Sequence, residues 1–287
     1  MHFVQAKGIL SQNNGMNIYR GCSHGCIYCD SRSKCYGFTH AFEDIEVKEN
    51  APELLEQALR SKRHKCMIGT GAMCDPYLPA EKELQLTRKC LELIDRYEYG
   101  VTVLTKSNLV LRDLDLLQSI HKKTKAVVQM TLTTYDENLC RKLEPNVSTT
   151  RERFEVLTRC KELGIPTLVW MTPILPFIND TRENIEGLLD YCLQAGVQGI
   201  LVFDVGVTLR EGDREYFYQA LDRDFPGIRQ KYVSTYGNAY DIPSPHTKEL
   251  MALIQNTCTA NGMLCSAKEC FTYLHEFPER YVQQTLF

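Results

Sequence analysis

Short apolar runs alternate with amphipathic stretches along most of this chain. Positions 65–69, 101–106, 126–133, 167–171 and 199–205 are rich in Val, Ile, Leu and Thr and are bounded by glycine, proline or charge. Such runs predict strands buried on both faces. Helical periodicity fills the gaps, over about 80–97, 112–121 and 150–163. A further helix runs to about Ala195, with Thr181 as its N-cap and Gly196 ending it. A strand over 16–20 makes six βα units, and this repetition predicts parallel strands joined by right-handed crossovers. Six units are too few to close an eightfold barrel. The expected fold is therefore α/β, a partial (β/α)6 barrel over 1–209.

The alternation stops at Arg210. The stretch to His246 holds Tyr216, Phe217, Tyr218, Phe225, Tyr232, Tyr236 and Tyr240 among several prolines and glycines. It predicts an irregular, lid-like extension followed by a helix near 247–261, so 210–287 forms a second unit. At 287 residues, 44% of them hydrophobic, the chain can bury one large core. A formal net charge of -3 excludes a global basic field that would draw it to nucleic acid or membrane. The first residues lack the apolar core of a signal peptide, and no apolar run approaches the ~18 residues of a membrane span. Thirteen cysteines in such a chain fit a reducing cytoplasm better than a disulfide framework.

The chemistry concentrates in Gly21-Cys22-Ser23-His24-Gly25-Cys26-Ile27-Tyr28-Cys29. Three thiolates at this spacing can hold three corners of one iron–sulfur cubane and leave the fourth iron without a protein ligand. Gly21 and Gly25 let the backbone bend around it. Helical spacing of the cysteines would instead make them small buried residues on a helix face, which the two glycines oppose. A zinc site would need His24 or Cys35 as fourth ligand and usually pairs its cysteines in separate knuckles. Cys258, Cys265 and Cys270 match no pattern for a second cluster.

C-x3-C-x2-C with an aromatic before the last cysteine resembles the radical S-adenosylmethionine (SAM) superfamily. That resemblance implies that a [4Fe-4S] cluster held by Cys22, Cys26 and Cys29 binds SAM at its open iron and reductively cleaves it to a 5′-deoxyadenosyl radical. It also implies an electron donor such as flavodoxin or ferredoxin. Active sites of parallel barrels lie at the carboxyl ends of the strands. The glycine-rich stretch after the second strand, with Thr70 and Gly71, matches the family segment that holds the SAM amino group. Lys106, ending the third strand, can meet the SAM carboxylate or a substrate phosphate, or reach solvent. Gln129, Thr131 and Thr133 share one face by alternation, and Thr131 or Thr133 is placed to reach ribose or carboxylate. Arg153 corresponds to an arginine near SAM, while an ion pair with Glu144 is equally compatible with its position. Tyr28 would pack near the adenine.

Asn17-x-Tyr19-Arg20-Gly21-Cys22-x-His24-Gly25-Cys26, Asp75-Pro76-Tyr77-x-Pro79-x-Glu81, Leu104-Thr105-Lys106-Ser107, Glu144-Pro145 and Pro173-Ile174-x-Pro176-x-Ile178-Asn179-Asp180 occur in that order. The set resembles the branch of spore photoproduct lyase, a DNA repair family, and implies damaged or modified nucleic acid as substrate. Two positions depart from it. Asp30 stands where those lyases carry a tyrosine, and Cys74 lies nearer the aspartate than their hydrogen-donating cysteine. Cys74 and Tyr28 are the candidate catalytic residues. The alternatives are radical modification of a peptide or protein and a non-catalytic metal-binding regulator. At the C-terminus, Gln283, Leu286 and Phe287 resemble the peptide by which bacterial DNA-processing proteins hold the sliding clamp.

Overall fold

The computed structural model describes residues 1–278; the clamp-like Gln283, Leu286 and Phe287 lie outside them. Six strands form one sheet: β1 (Gly15–Met16), β2 (Met67–Thr70), β3 (Gly100–Thr105), β4 (Ala126–Thr131), β5 (Thr167–Trp170) and β6 (Gly199–Leu201). They lie side by side in chain order, and every neighbouring pair is parallel. The connections carry helices α1 (Ala51–Ser61), α2 (Leu86–Arg96), α3 (Leu114–Lys123), α4 (Thr150–Glu162) and α5 (Arg182–Ala195). This is the partial (β/α)6 barrel that the alternation predicts.

Both faces of the sheet are covered, which is why its strands read as continuous apolar runs. On the outer face Val101, Val103, Val128, Met130, Val169 and Ile200 share a core with Leu91, Leu117, Val156, Ile185 and Leu188 of the helices. On the inner face Val127, Leu168 and Leu201 meet Cys270 and Leu274 of a further helix, Ala267–His275. Its start is a capping box between Ser266 and Glu269. None of the described helices is long and apolar enough to cross a membrane.

Several elements differ from the sequence-based expectation, among them two helices that it did not place, Glu137–Leu143 and Ala267–His275. The strand over 16–20 is divided between two sheets. Gly15–Met16 pairs with β2, whereas Tyr19–Arg20 pairs antiparallel with Glu46–Lys48 in a side sheet completed by His2–Val4. The helix over 80–97 breaks at Gln85, whose φ is +51°. The cause is the buried carboxylate of Glu81, which accepts from Thr87 N at 3.0 Å and so caps a new helix start. Lastly, the aromatic stretch after Arg210 is largely regular. It forms helices Asp213–Asp224 and Ile228–Tyr236, closed by an antiparallel pair of strands, Gly206–Thr208 and Asp241–Pro243. Phe217, Leu221 and Tyr232 supply the apolar face that orders them, packed with Cys26, Ile27 and Tyr28.

Candidate active site

The cysteine loop leaves the side sheet at Arg20 and lies at the carboxyl end of the barrel. Gly21 opens it with φ +86°, and a Cβ there would fall 2.5 Å from the Phe42 carbonyl oxygen. The same oxygen accepts from Cys22 N at 3.0 Å. On the other side the loop is stitched to the segment after β4. Ile27 N donates to Leu143 O at 3.0 Å, and Asn146 N donates to His24 O at 3.1 Å. Residues 22–29 are thus a clamped loop, and the helical alternative does not hold.

All three thiols are free of disulfides. Burial pushes the Cys26 thiol well above its ordinary range and Cys29 upward as well, and in both cases neighbouring thiols of the trio add to the rise. Cys22 shifts the other way, because the Cys74 thiol hydrogen-bonds to it and His24 supports the thiolate. Three thiols on one clamped loop, with no fourth protein ligand grouped with them among the described residues, are the donor set of a cluster with one open iron. A single tetrahedral zinc with Zn–S near 2.3 Å would draw its sulfurs to about 3.8 Å. Cys35, one proposed fourth zinc ligand, is exposed and lies 3.4 Å from Arg210 Nη1.

Around this loop stand several of the expected residues. Burial would depress the Lys106 ammonium, but Cys26 and Glu144 outweigh it and hold the pKa above the usual lysine value. Its Nζ lies 5.9 Å from the centre of the Tyr28 ring. The Tyr28 hydroxyl donates to Glu144, and Arg153 forms a fully buried ion pair with the same carboxylate. The other guanidinium donors are used too, Nε on Ser148 O at 2.7 Å and Nη1 on Thr131 O at 2.8 Å. The Glu144 pair that the sequence allows for Arg153 is thus present. Tyr28 is kept a phenol by burial and by the adjacent carboxylate.

Asp75 ties the second and third strand ends together. It accepts from Thr105 Oγ1 at 2.7 Å and from Lys106 N at 2.7 Å, and it lies 3.5 Å from His24 Nδ1 in the cysteine loop. Burial opposes protonation of His24, yet Asp75 and Cys22 raise its pKa. The sequence marks His24 and Asp75 only as motif positions, with His24 also a possible zinc ligand, and not as the bridge and the brace that they form. Gly71 has φ +99°, and a Cβ on it would run into the Leu104 carbonyl. Cys74 is buried, with its sulfur 2.7 Å from Gly21 O and in contact with Cys22. Asp30 accepts from Tyr36 Oη at 2.7 Å.

Two further expected residues contribute their backbone carbonyls near the end of β4. Thr133 lies beyond the end of β4, fully buried, its carbonyl accepting from Asn179 and Asn184 at 2.8 and 2.9 Å. Thr131 likewise contributes its carbonyl, to Arg153. A cavity of about 220 Å³ on the inner face of the sheet takes in Thr70, Gln129 and Trp170 against Leu274 and His275, but none of the three cysteines. Gln129 accepts there from Trp170 Nε1 at 2.8 Å.

Comparison with known proteins agrees with this geometry. The family model of the Radical SAM superfamily matches residues 16–192, more than half of the chain. An uncharacterized protein of Mycobacterium tuberculosis, Rv2578c, is 29% identical over 249 residues, covering 82% of this chain and 70% of its own. Uncharacterized protein MJ0683 of Methanocaldococcus jannaschii is 34% identical over 169 residues, covering 58% and 62%. A solved spore photoproduct lyase in complex with dinucleoside spore photoproduct shares the fold at TM-score 0.63 and 14% identity, over 91% of this chain and 78% of that one. Another, with bound AdoMet and the same dinucleoside, gives 0.62 and 13% over 88% and 74%. The chain is thus an enzyme of the radical SAM superfamily, with a [4Fe-4S] cluster and SAM as its cofactors and a fold like that of spore photoproduct lyase.

Proposed function

We propose that this enzyme acts on a damaged or modified nucleic acid, in the manner of a DNA lesion lyase. Cys22, Cys26 and Cys29 hold the cluster. When bound and reduced, the cluster would supply the electron for reductive cleavage of SAM and so the means of taking a hydrogen atom from the substrate. Lys106 offers a cation to the SAM carboxylate, where Cys26 and Glu144 keep it protonated. Thr70 and Gly71 border the same strand ends and bring backbone groups to the SAM amino group. Arg153 acts through Glu144, which fixes Tyr28 beside the cysteines. The helices 213–224 and 228–236 cover Cys26 and Tyr28 and keep water from the radical. Cys74 serves as the hydrogen donor, and a flavodoxin- or ferredoxin-type protein as the electron source.

The observation that carries the substrate class is the ordered motif set spread over a lyase-like fold, from Asn17 between the two strands before the cysteines to Asp180 before α5. It is tested by deuterium transfer. Ultraviolet-irradiated DNA deuterated at thymine, incubated anaerobically with reconstituted, reduced enzyme and SAM, should pass deuterium into 5′-deoxyadenosine. Formation of unlabelled 5′-deoxyadenosine with irradiated and other modified DNA alike would remove nucleic acid as the substrate.

A further inference from the structure

We infer that His2, His40 and Glu46 form a second metal site, for one divalent first-row cation of zinc type, on the side sheet behind the cysteine loop. Strand His2–Val4 runs parallel to Glu46–Lys48 with His2 directly opposite Glu46. His40 comes from the segment before that second strand, its ring edge-on to His2 at 4.9 Å between centroids. One ligating atom from each residue lies within 4.8 Å of the other two.

The hydrogen bonds around the rings prepare them for a metal. His2 Nδ1 is 3.1 Å from Asp44 Oδ2, and His40 Nδ1 is 3.0 Å from Ala41 O. Both partners are acceptors, so each Nδ1 carries the proton and each neutral ring keeps its lone pair on Nε2. A carboxylate or carbonyl behind a histidine is the usual support of a metal-bound imidazole. His40 Nε2 is shielded from water, has no hydrogen-bond partner and lies 3.9 Å from Glu46 Oε2. A buried lone pair left so is costly, and a cation between it and the carboxylate removes that cost. Two imidazoles and one carboxylate suit zinc, cobalt or nickel, whereas magnesium and calcium favour oxygen shells. Ligands about 2.1 Å from zinc stand about 3.4 Å apart, so modest side-chain closure completes the site. The partial exposure of His2, at 39%, leaves a fourth position to water.

Such an ion would bolt the strand 2–4 to the strand that supports Tyr19–Arg20, the lead-in to Cys22. The test uses anaerobic, cluster-loaded protein dialysed against micromolar zinc. About one zinc per chain beyond the cluster, with a zinc K-edge spectrum showing only nitrogen and oxygen neighbours, is the expected result. His40→Ala and the near-isosteric Glu46→Gln, both checked for folding by circular dichroism, should abolish it. Asp44→Asn should weaken binding about tenfold. Sulfur in the zinc shell, full zinc content in a folded Glu46→Gln protein, or no zinc in the wild type would overturn the site.

Discussion

Asp213 is an acid whose surroundings work against its charge. Burial raises its pKa to about 6, and although Oδ1 accepts from Arg210 N at 2.6 Å, Oδ2 is buried without a partner. A carboxyl whose folded pKa exceeds its unfolded value binds more protons when folded. Its contribution to stability is present below about pH 4 and is lost as pH rises through about 6. Asp213→Asn keeps the bond to Arg210 and removes the charge. Its melting temperature should exceed that of the wild type at pH 7 by more than at pH 4.5, and an equal difference at both pH values would contradict the assignment. Arg153 makes the opposite case. Arg153→Ala strands the Glu144 carboxylate in the interior, which costs about 3–5 kcal/mol for a buried pair. Chemical denaturation should register that loss, whereas a change below about 1 kcal/mol, the range of a surface pair, would mean that the pair is not buried. Glu144-Pro145 and Arg153 were visible in the sequence as partners. The hydroxyl of Tyr28 as a third member was not, because a contact across 116 residues leaves no local pattern.

At the scale of the element, two glycines with positive φ separate steric need from turn preference. Gly71 closes β2 with the Leu104 carbonyl against it, whereas Gly164 follows α4 at φ +71° with nothing within 4 Å. Gly164→Ala should cost about 1 kcal/mol, the price of a left-handed alanine. Gly71→Ala must also displace β3, so it should unfold at clearly lower denaturant and lose SAM-dependent turnover. Equal midpoints for the two variants would show that the strand end is slack. Strands from 65 to 201 and the long helices between them were legible because each strand is apolar on both faces and each helix on one, whereas the short helix Glu137–Leu143 falls in a stretch read as loop. The divided first strand was not. Met16, Ile18 and Tyr19 are all buried, and one polar residue between them, Asn17, does not announce a change of sheets. The break at Gln85 depends on a carboxylate four residues earlier, which is a tertiary outcome rather than a propensity.

For the whole molecule, the helix Ala267–His275 seals the inner face of the sheet and the aromatic helices seal the cysteine loop. The sequence signalled the second cover only as an aromatic-rich interruption and did not signal the first. Leu274 and Cys270 are the buried residues of that helix that share an apolar cluster with Val127, Leu168 and Leu201. Leu274→Ala should cost about 2–5 kcal/mol if that face is a packed core; a loss under about 0.5 kcal/mol would mean an unsealed barrel. The account as a whole rests on three spaced sulfurs holding a cubane with one open iron. The most direct test is electron paramagnetic resonance of anaerobically reconstituted, dithionite-reduced protein before and after SAM is added. A [4Fe-4S]⁺ signal that shifts on adding SAM, and that is missing from Cys26→Ala, is the predicted result. A signal indifferent to SAM, or wild-type protein that takes up one zinc at the cysteine loop and no iron, would contradict it.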